Sequence, residues 1–186
     1  MWFLILTVVG CAIVLVIDAT PGLLSSGLLC PCVGLFALAA AVMPWTAVAA
    51  GLYVQPAANR RRRRYIWAAA GVVALSAVLW LAFVPSRVAL WASRGEFEAL
   101  LANAPQTSDG EPLGRRVGGV YVDQYGADSA GGVFFRTASH ADGLGPDTMS
   151  YGFAHRPHRE SCPFGRSSYQ AVWLFGEWYW FSVSND

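Results

Sequence analysis

The sequence contains no lysine, and charged residues make up only 13% of its 186 positions. This share is about half that of an ordinary soluble domain, while hydrophobic residues reach 55%. From Met1 to Val84 the only charges are Asp18 and the run Arg60–Arg64. Such an uneven distribution favours a transmembrane region over residues 1–84 and a separate small domain over residues 85–186.

Three apolar stretches have the composition of membrane-spanning helices. Crossing the hydrocarbon layer takes about 20 residues, which is the length of residues 65–84. Residues 23–54 are too many for one untilted span and too few for two, so we expect one span, with residues 23–32 at the outer interface. A removable signal is disfavoured at the N-terminus because no Lys or Arg precedes the first apolar run. The predicted spans cover about residues 2–17, 33–54 and 65–84.

The arginine run fixes the predicted topology. Each arginine at the bilayer centre costs about 2.5 to 3.5 kcal/mol on insertion scales, so short basic loops stay in the cytoplasm. We therefore predict a multi-pass protein of the cell membrane, with a cytoplasmic N-terminus and an extracytoplasmic C-terminal domain. Nucleic acid is not an expected partner, because a short tether between two spans offers no base-reading face. The basic cluster that is expected to face the lipid bilayer is Arg60, Arg61, Arg62, Arg63 and Arg64.

The C-terminal domain is predicted to be α+β. Ser93 and Glu96 have the spacing of a capping box and precede apolar residues at helical spacing, so we expect a helix at about 94–103. After a polar linker at 106–114, short runs with valine or aromatic residues at alternate positions predict an antiparallel sheet of about five strands, with the helix on one face. The predicted strands are 117–124, 133–138, 149–154, 169–175 and 178–183.

The last two predicted strands are rich in aromatic residues. Gly176–Glu177 between them suits a tight hairpin turn of the primed type. Alternation places the aromatic side chains on both faces of the sheet, so one core cannot take them all. One interpretation buries one face and packs the other on the helix or a membrane surface. The other makes Trp173, Trp178 and Trp180 an aromatic platform for a glycan or a peptide.

The segment HRPHRESC contains four potential metal ligands within eight residues. Zinc favours His and Cys in tetrahedral sets, and copper also accepts imidazole and thiolate ligands. Arg156 and Arg159 would add positive charge beside such a cation, and a solvated loop without any cofactor is the interpretation that we favour. The four potential ligands are His155, His158, Glu160 and Cys162.

Three cysteines, Cys30, Cys32 and Cys162, face an oxidising compartment in the predicted topology. A disulfide from Cys162 to Cys30 or Cys32 would hold the outer domain against the membrane region. Free or separately paired thiols are one alternative, and a redox-active or metal-carrying Cys-Pro-Cys segment is another. A direct Cys30–Cys32 bond would be strained, because only one residue separates the two.

The sequence offers little for catalysis. Ser139 and His140 are neighbours, so on a strand they point to opposite faces and cannot act together as nucleophile and base. We therefore predict a non-catalytic binding or scaffolding component of the cell envelope, with an envelope protein or a glycan as partner. An envelope thiol-redox or metal-handling protein, using the Cys-Pro-Cys segment and the loop from His155 to Cys162, is the alternative.

Five segments carry a resemblance to a known group of proteins: SRGEFEALLA, VGGVYV, GGVFFRT, YGFAHRP and LFGEWYWF. Their pattern of glycines and aromatic residues, from Ser93 to Val183, resembles the outer domain of small uncharacterised actinobacterial membrane proteins. The resemblance implies an extracytoplasmic domain of unknown function, and it carries over no catalytic residues.

Overall fold

The computed structural model describes residues 2–21, 60–105, 110–141, 148–158, 162–165 and 167–185. The predicted span at 33–54 lies outside these residues. The described chain forms an α+β fold with three helices and one antiparallel sheet, in the strand order β1-β2-β3-β4-β6-β5. The helices are α1 (Trp2–Asp18), α2 (Arg60–Leu81) and α3 (Val84–Leu101). The strands are β1 (Glu111–Val117), β2 (Val120–Ala127), β3 (Val133–Ala141), β4 (Thr148–His155), β5 (Ser167–Phe175) and β6 (Trp178–Ser184).

Helices α1 and α2 run side by side in the same direction. At their C-terminal ends the Asp18 carboxylate accepts a hydrogen bond from the Trp80 side chain. Thr7 on α1 and Ala69 on α2 are both buried, and each lies about three turns before that contact. The Ser86 hydroxyl on α3 donates to the Asp18 carbonyl at 3.3 Å. The C-terminal ends of α1 and α2 therefore meet at the start of α3.

The stretch predicted as the third span, 65–84, is broken before its end. Helix α2 ends at Leu81, Phe83 has the left-handed φ of 54°, and α3 then starts with Pro85 in its first turn. A proline inside a continuous helix would clash with the carbonyl four residues earlier, so the break falls just before it. No single helix in the described ranges is long and apolar enough to cross a membrane; Trp67–Leu81 and Val84–Leu101 pass that test only together, bent by 57°.

The predicted capping box was wrong. Helix α3 already starts at Val84, so Ser93 and Glu96 lie in its interior. Ser93 Oγ accepts a hydrogen bond from the Gly119 amide at 3.1 Å, and the Glu96 carboxylate accepts one from the Gly118 amide at 2.6 Å. The two side chains therefore satisfy the amides of the β1–β2 turn. The spacing of Ser93 and Glu96 could not distinguish a capping box from this contact with the β1–β2 turn, because in both cases the side-chain oxygens accept hydrogen bonds from backbone N–H groups.

The sheet has six described strands where about five were predicted. Strand β1 occupies part of the segment that was predicted as a polar linker, and β2 begins at Val120 because the turn at Gly118 intervenes. An edge strand with charged side chains and an irregular register, as β1 has between Pro112 and Arg115, shows little apolar alternation. The predicted hairpin at Gly176 is confirmed, with a φ of 54° at that glycine.

Each face of the sheet has a hydrophobic core, and α3 lies on one of them as predicted. Phe97 of α3 is fully buried and its ring centre lies 5.0, 5.9 and 5.8 Å from those of Phe135, Phe153 and Trp178. These are edge-on contacts, the favourable arrangement for aromatic rings. The opposite face has its own core, formed by Phe134, Ala154, Cys162, Phe164, Phe181 and Val183.

Candidate functional site

The arginine cluster forms the first turns of α2. Arg64 is exposed, and the side chains of Arg60–Arg63 lie outside what the structure describes. Because a helix rises about 1.5 Å per residue, the cluster lies about 30 Å from the end of α2 that meets the sheet domain. The strongest charge concentration in the sequence and the folded domain are thus at opposite ends of one helix.

His155 ends strand β4 and packs edge-on against Trp178, with the ring centres 5.1 Å apart. Its Nε2 lies 3.4 Å from Glu177 Oε2, and Arg156 Nη2 lies 2.6 Å from the other oxygen of that carboxylate. The Arg156 amide also donates to the Glu177 carbonyl at 2.9 Å. Burial lowers the pKa of His155, and the nearby Glu177 charge partly opposes this. The arrangement fastens the end of β4 to the β5–β6 turn.

His158 lies beside the buried carboxylate of Asp128. Asp128 accepts hydrogen bonds from the amides of Ala130 at 2.8 Å, Gly132 at 2.7 Å and His158 at 3.2 Å. His158 Nδ1 is 3.4 Å from the same carboxylate. Asp128 therefore closes the β2–β3 loop and holds the chain that follows β4. Its sequence signal was a strand-end Asp with glycines three and four residues later.

Cys162 lies on the other face of the sheet from His155. Its side chain is 8% exposed, and burial raises the pKa of the thiol to about 12. Within the described ranges no three His, Cys, Asp or Glu side chains come close enough to hold a metal ion, and Glu160 falls outside those ranges. Cys162 carries a free thiol in the described part of the chain, and a disulfide from it to Cys30 or Cys32 stays a prediction. Cys30 and Cys32 are likewise outside the described residues.

The three tryptophans predicted as a platform do not share one exposed surface. Trp178 is 3% exposed and belongs to the core beneath α3. Trp180 is partly buried, with Phe83 at 5.4 Å and Tyr151 at 6.3 Å between ring centres. Trp173, on the edge strand β5, is 52% exposed. Alternation along β6 turns Trp178 and Trp180 towards α3, and this leaves Trp173 alone at the edge.

Trp173 makes a contact with α3 that sequence reasoning missed. The Arg87 guanidinium lies over its ring, 5.4 Å from the centre, and Arg87 Nη2 donates to the Trp173 carbonyl at 3.3 Å. The indole N–H donates to the Gly176 carbonyl at 3.0 Å, which fixes the ring. On the outer side of α3, Val88 is 58% exposed and Trp91 is 71% exposed. Their spacing of three residues was visible in the sequence, but the early start of the helix was not.

Polar side chains lie on the part of the α3-facing sheet surface that adjoins the end of α1. The Thr137 hydroxyl donates to the Pro21 carbonyl at 2.8 Å. His140 pairs with Met149 and Met149 with Ser184 across three strands, so these residues share one face. His140 Nε2 and Ser184 Oγ are buried and, among the residues that the structure describes, have no hydrogen-bond partner. This surface joins α1 to the sheet.

Comparisons with protein-family models, with curated proteins and with solved structures returned no match for this chain. The resemblance to actinobacterial membrane proteins therefore stays a prediction.

Proposed function

We propose that the protein is a membrane-anchored, non-catalytic binding or scaffolding component of the cell envelope. In this proposal α1, the predicted span at 33–54 and α2 cross the bilayer, and the sheet domain lies outside the cytoplasm. The lipid bilayer is one partner, and an envelope protein or a glycan is the other.

The observation that carries the proposal is the exposed apolar surface of α1 and α2. Exposed side chains on these two helices include Leu6, Ile13, Val16, Trp67, Leu75 and Leu81. Complete removal of such a side chain from water is favourable by about 1.5–3 kcal/mol. Two packed helices on which the described residues leave so many of these groups uncovered are poorly suited to water and well suited to hydrocarbon. Neither helix is long and apolar enough to form a span alone, so the exposed apolar surface and not the helix length supports this step.

The parallel direction of α1 and α2 supports the three-span topology. The described chain leaves the sheet end of α1 at Pro21 and resumes at Arg60, about 30 Å away at the other end of α2. One return crossing by the predicted span at 33–54 fits this geometry. The arginine end then lies in the cytoplasm, as short basic loops do, and the domain lies outside.

Three acidic groups of the domain support a non-catalytic role because they serve structural contacts. Asp123 forms a bidentate pair with Arg136, with one N–O distance of 2.8 Å, and Asp128 accepts hydrogen bonds from three backbone amides. Glu177 pairs with Arg156 at the edge of the sheet. The thiol or metal alternative gains no support from Cys162, since a thiolate is the reactive and metal-binding form and the pKa of this residue is about 12.

A pair of reporter fusions tests the topology. A phosphatase that is active only outside the cytoplasm, fused after Asp186, is expected to be active, and the same enzyme inserted after Asn59 is expected to be inactive. A fluorescent protein that folds only in the cytoplasm should give the reverse pattern. In the matched control, all five arginines of the run are replaced by glutamine, which should mix the two orientations. An inactive phosphatase after Asp186 in the native sequence refutes the proposal.

Photocrosslinking in intact cells tests the binding role. Arg116 and Tyr121 face each other across β1 and β2 and are both exposed, so a photoreactive phenylalanine analogue at either position samples the outer surface. A scaffold gives a discrete adduct of higher mass, and the same analogue at the buried Phe97 gives none. The absence of any adduct at the two exposed positions would argue against a bound partner at this hairpin.

A further inference from the structure

We propose that the outer side of α3, together with Trp173, rests on the lipid headgroups of the outer leaflet and holds the domain against the membrane. We call this the interfacial surface, and its residues are Arg87, Val88, Trp91 and Trp173. The inference rests on the proposed function, because it needs α2 to be in the bilayer.

The first step is that α3 has two uncharged sides. Its core side carries Ser86, Leu90, Ser93 and Phe97, all buried. The opposite side carries Val84, Val88, Trp91, Ala92, Gly95 and Ala99. The charged residues Arg87, Arg94 and Glu98 border it along the edge on which Trp91 lies. A helix on the surface of a soluble domain normally turns polar and charged groups towards water on that side. A Cβ added at Gly95 would meet nothing within 4 Å, so no described part of the chain covers this side there.

The second step is the depth at which these residues lie. Helix α3 leaves the end of α2 at an angle of 57°. If α2 lies along the bilayer normal, each successive residue of α3 is therefore only about 0.8 Å further from the membrane, with heights counted from Val84 at the edge of the hydrocarbon layer. Trp91 then lies about 6 Å above Val84, within a headgroup layer about 5–8 Å thick. The large apolar side chains, Val88 and Trp91, fall inside this layer. The small residues Gly95 and Ala99 fall about 9–12 Å up, beyond the layer.

The third step is the chemistry of the surface. Tryptophan is enriched at the level of lipid headgroups, because its ring is apolar and its N–H is polar. Arg87 holds Trp173 beside α3 and brings a positive charge to the same level, where lipid phosphates are negative. Exposed Trp80 and Leu81 at the end of α2 join the interfacial surface to the apolar surface of α2. This continuity, with the two tryptophans and the arginine, favours lipid over a second copy of the chain as the occupant.

Depth measurement by spin labels on the full chain tests the inference. The four native cysteines are replaced by alanine, and a nitroxide is attached to Val88→Cys, Trp91→Cys or Tyr121→Cys. Proteoliposomes contain phosphatidylcholine and phosphatidylglycerol. Labels at 88 and 91 should be reached by oxygen several-fold more readily, relative to a water-soluble nickel reagent, than the label at 121. Tyr121 is the matched control because it is exposed but lies on β2.

A further label at Leu75→Cys, on the exposed side of α2, separates the two proposals. If the label at 75 reads hydrocarbon and the label at 91 reads water, the interfacial surface is refuted and the membrane anchor stands. If the label at 75 also reads water, both are refuted. Spin–spin broadening between labels at 91 in two chains would indicate a second copy on this side, which also overturns the inference.

Discussion

Replacing Gly118 by alanine should destabilise the domain more than the same change at Gly114. Both glycines have a left-handed φ, 59° and 58°, so each alanine carries about 1–2 kcal/mol of backbone cost. At Gly118 the added Cβ would clash with Ser93 Oγ and lie 3.0 Å from the Ser93 Cα, whereas at Gly114 nothing lies within 4 Å. The side-chain oxygen can move, but the helix backbone cannot easily do so.

The difference between the two variants measures how tightly the β1–β2 turn packs on α3. Overpacking typically costs about 1–3 kcal/mol, and a shifted turn also weakens the hydrogen bond from the Gly118 amide to Glu96. We expect Gly118→Ala to lower the free energy of unfolding by about 2–5 kcal/mol and Gly114→Ala by about 1–2 kcal/mol. Urea unfolding of the purified full chain in detergent, followed by tryptophan fluorescence, gives both values. Equal losses for the two variants would refute the close approach of this turn to the helix.

Three further predictions concern the titratable groups of the domain. Asp128→Asn should lower the free energy of unfolding by about 2 kcal/mol, because asparagine has one side-chain oxygen to accept hydrogen bonds where the carboxylate has two oxygens that accept from three backbone N–H groups. A loss below about 0.5 kcal/mol in the same urea assay would contradict the role of Asp128 in holding these amides. Cys162 should resist iodoacetamide at pH 8 in the folded protein and react once urea unfolds it, because its pKa is about 12; rapid labelling of the folded chain, read by mass spectrometry, would contradict its burial. Because the pKa of His155 is lowered in the folded protein, the unfolded chain binds a proton at this residue at a higher pH than the folded chain does. The free energy of unfolding should therefore decrease from pH 7.5 to pH 5.5, and His155→Gln should reduce that decrease. An unchanged dependence of the free energy on pH in the variant would exclude His155 as its source.

The strands and the last hairpin were largely predictable because their signals are local. Apolar alternation marked β3 to β6 to within a few residues, and Gly176 marked the turn between β5 and β6. Strand β1 escaped prediction because an edge strand needs no apolar face of its own. Charged side chains and an irregular register are typical of an edge strand. Whether a strand lies at the edge depends on which strands pair with it in the folded sheet.

The candidate site residues were less predictable, because their roles depend on distant partners. His155 and Cys162 are seven positions apart in the sequence but lie on opposite faces of the sheet. Trp173 and Trp178 are the same type of residue, yet Trp173 is exposed and Trp178 is buried. A potential ligand or aromatic group can be recognised from its type, but its use depends on which groups the fold brings to it.

The sequence by itself determined the composition boundary near Pro85 and the concentration of apolar residues before it. It also determined that the sheet after this boundary is antiparallel. Both follow from composition and short-range periodicity, which depend only on neighbouring residues. Only the tertiary structure decided that Ser93 and Glu96 bind the β1–β2 turn, that Asp128 is buried among three amides, and that Arg87 lies on Trp173. These contacts join residues that are close in space but separated in the chain. Their free energies arise from burial and hydrogen bonding between partners that no local pattern specifies.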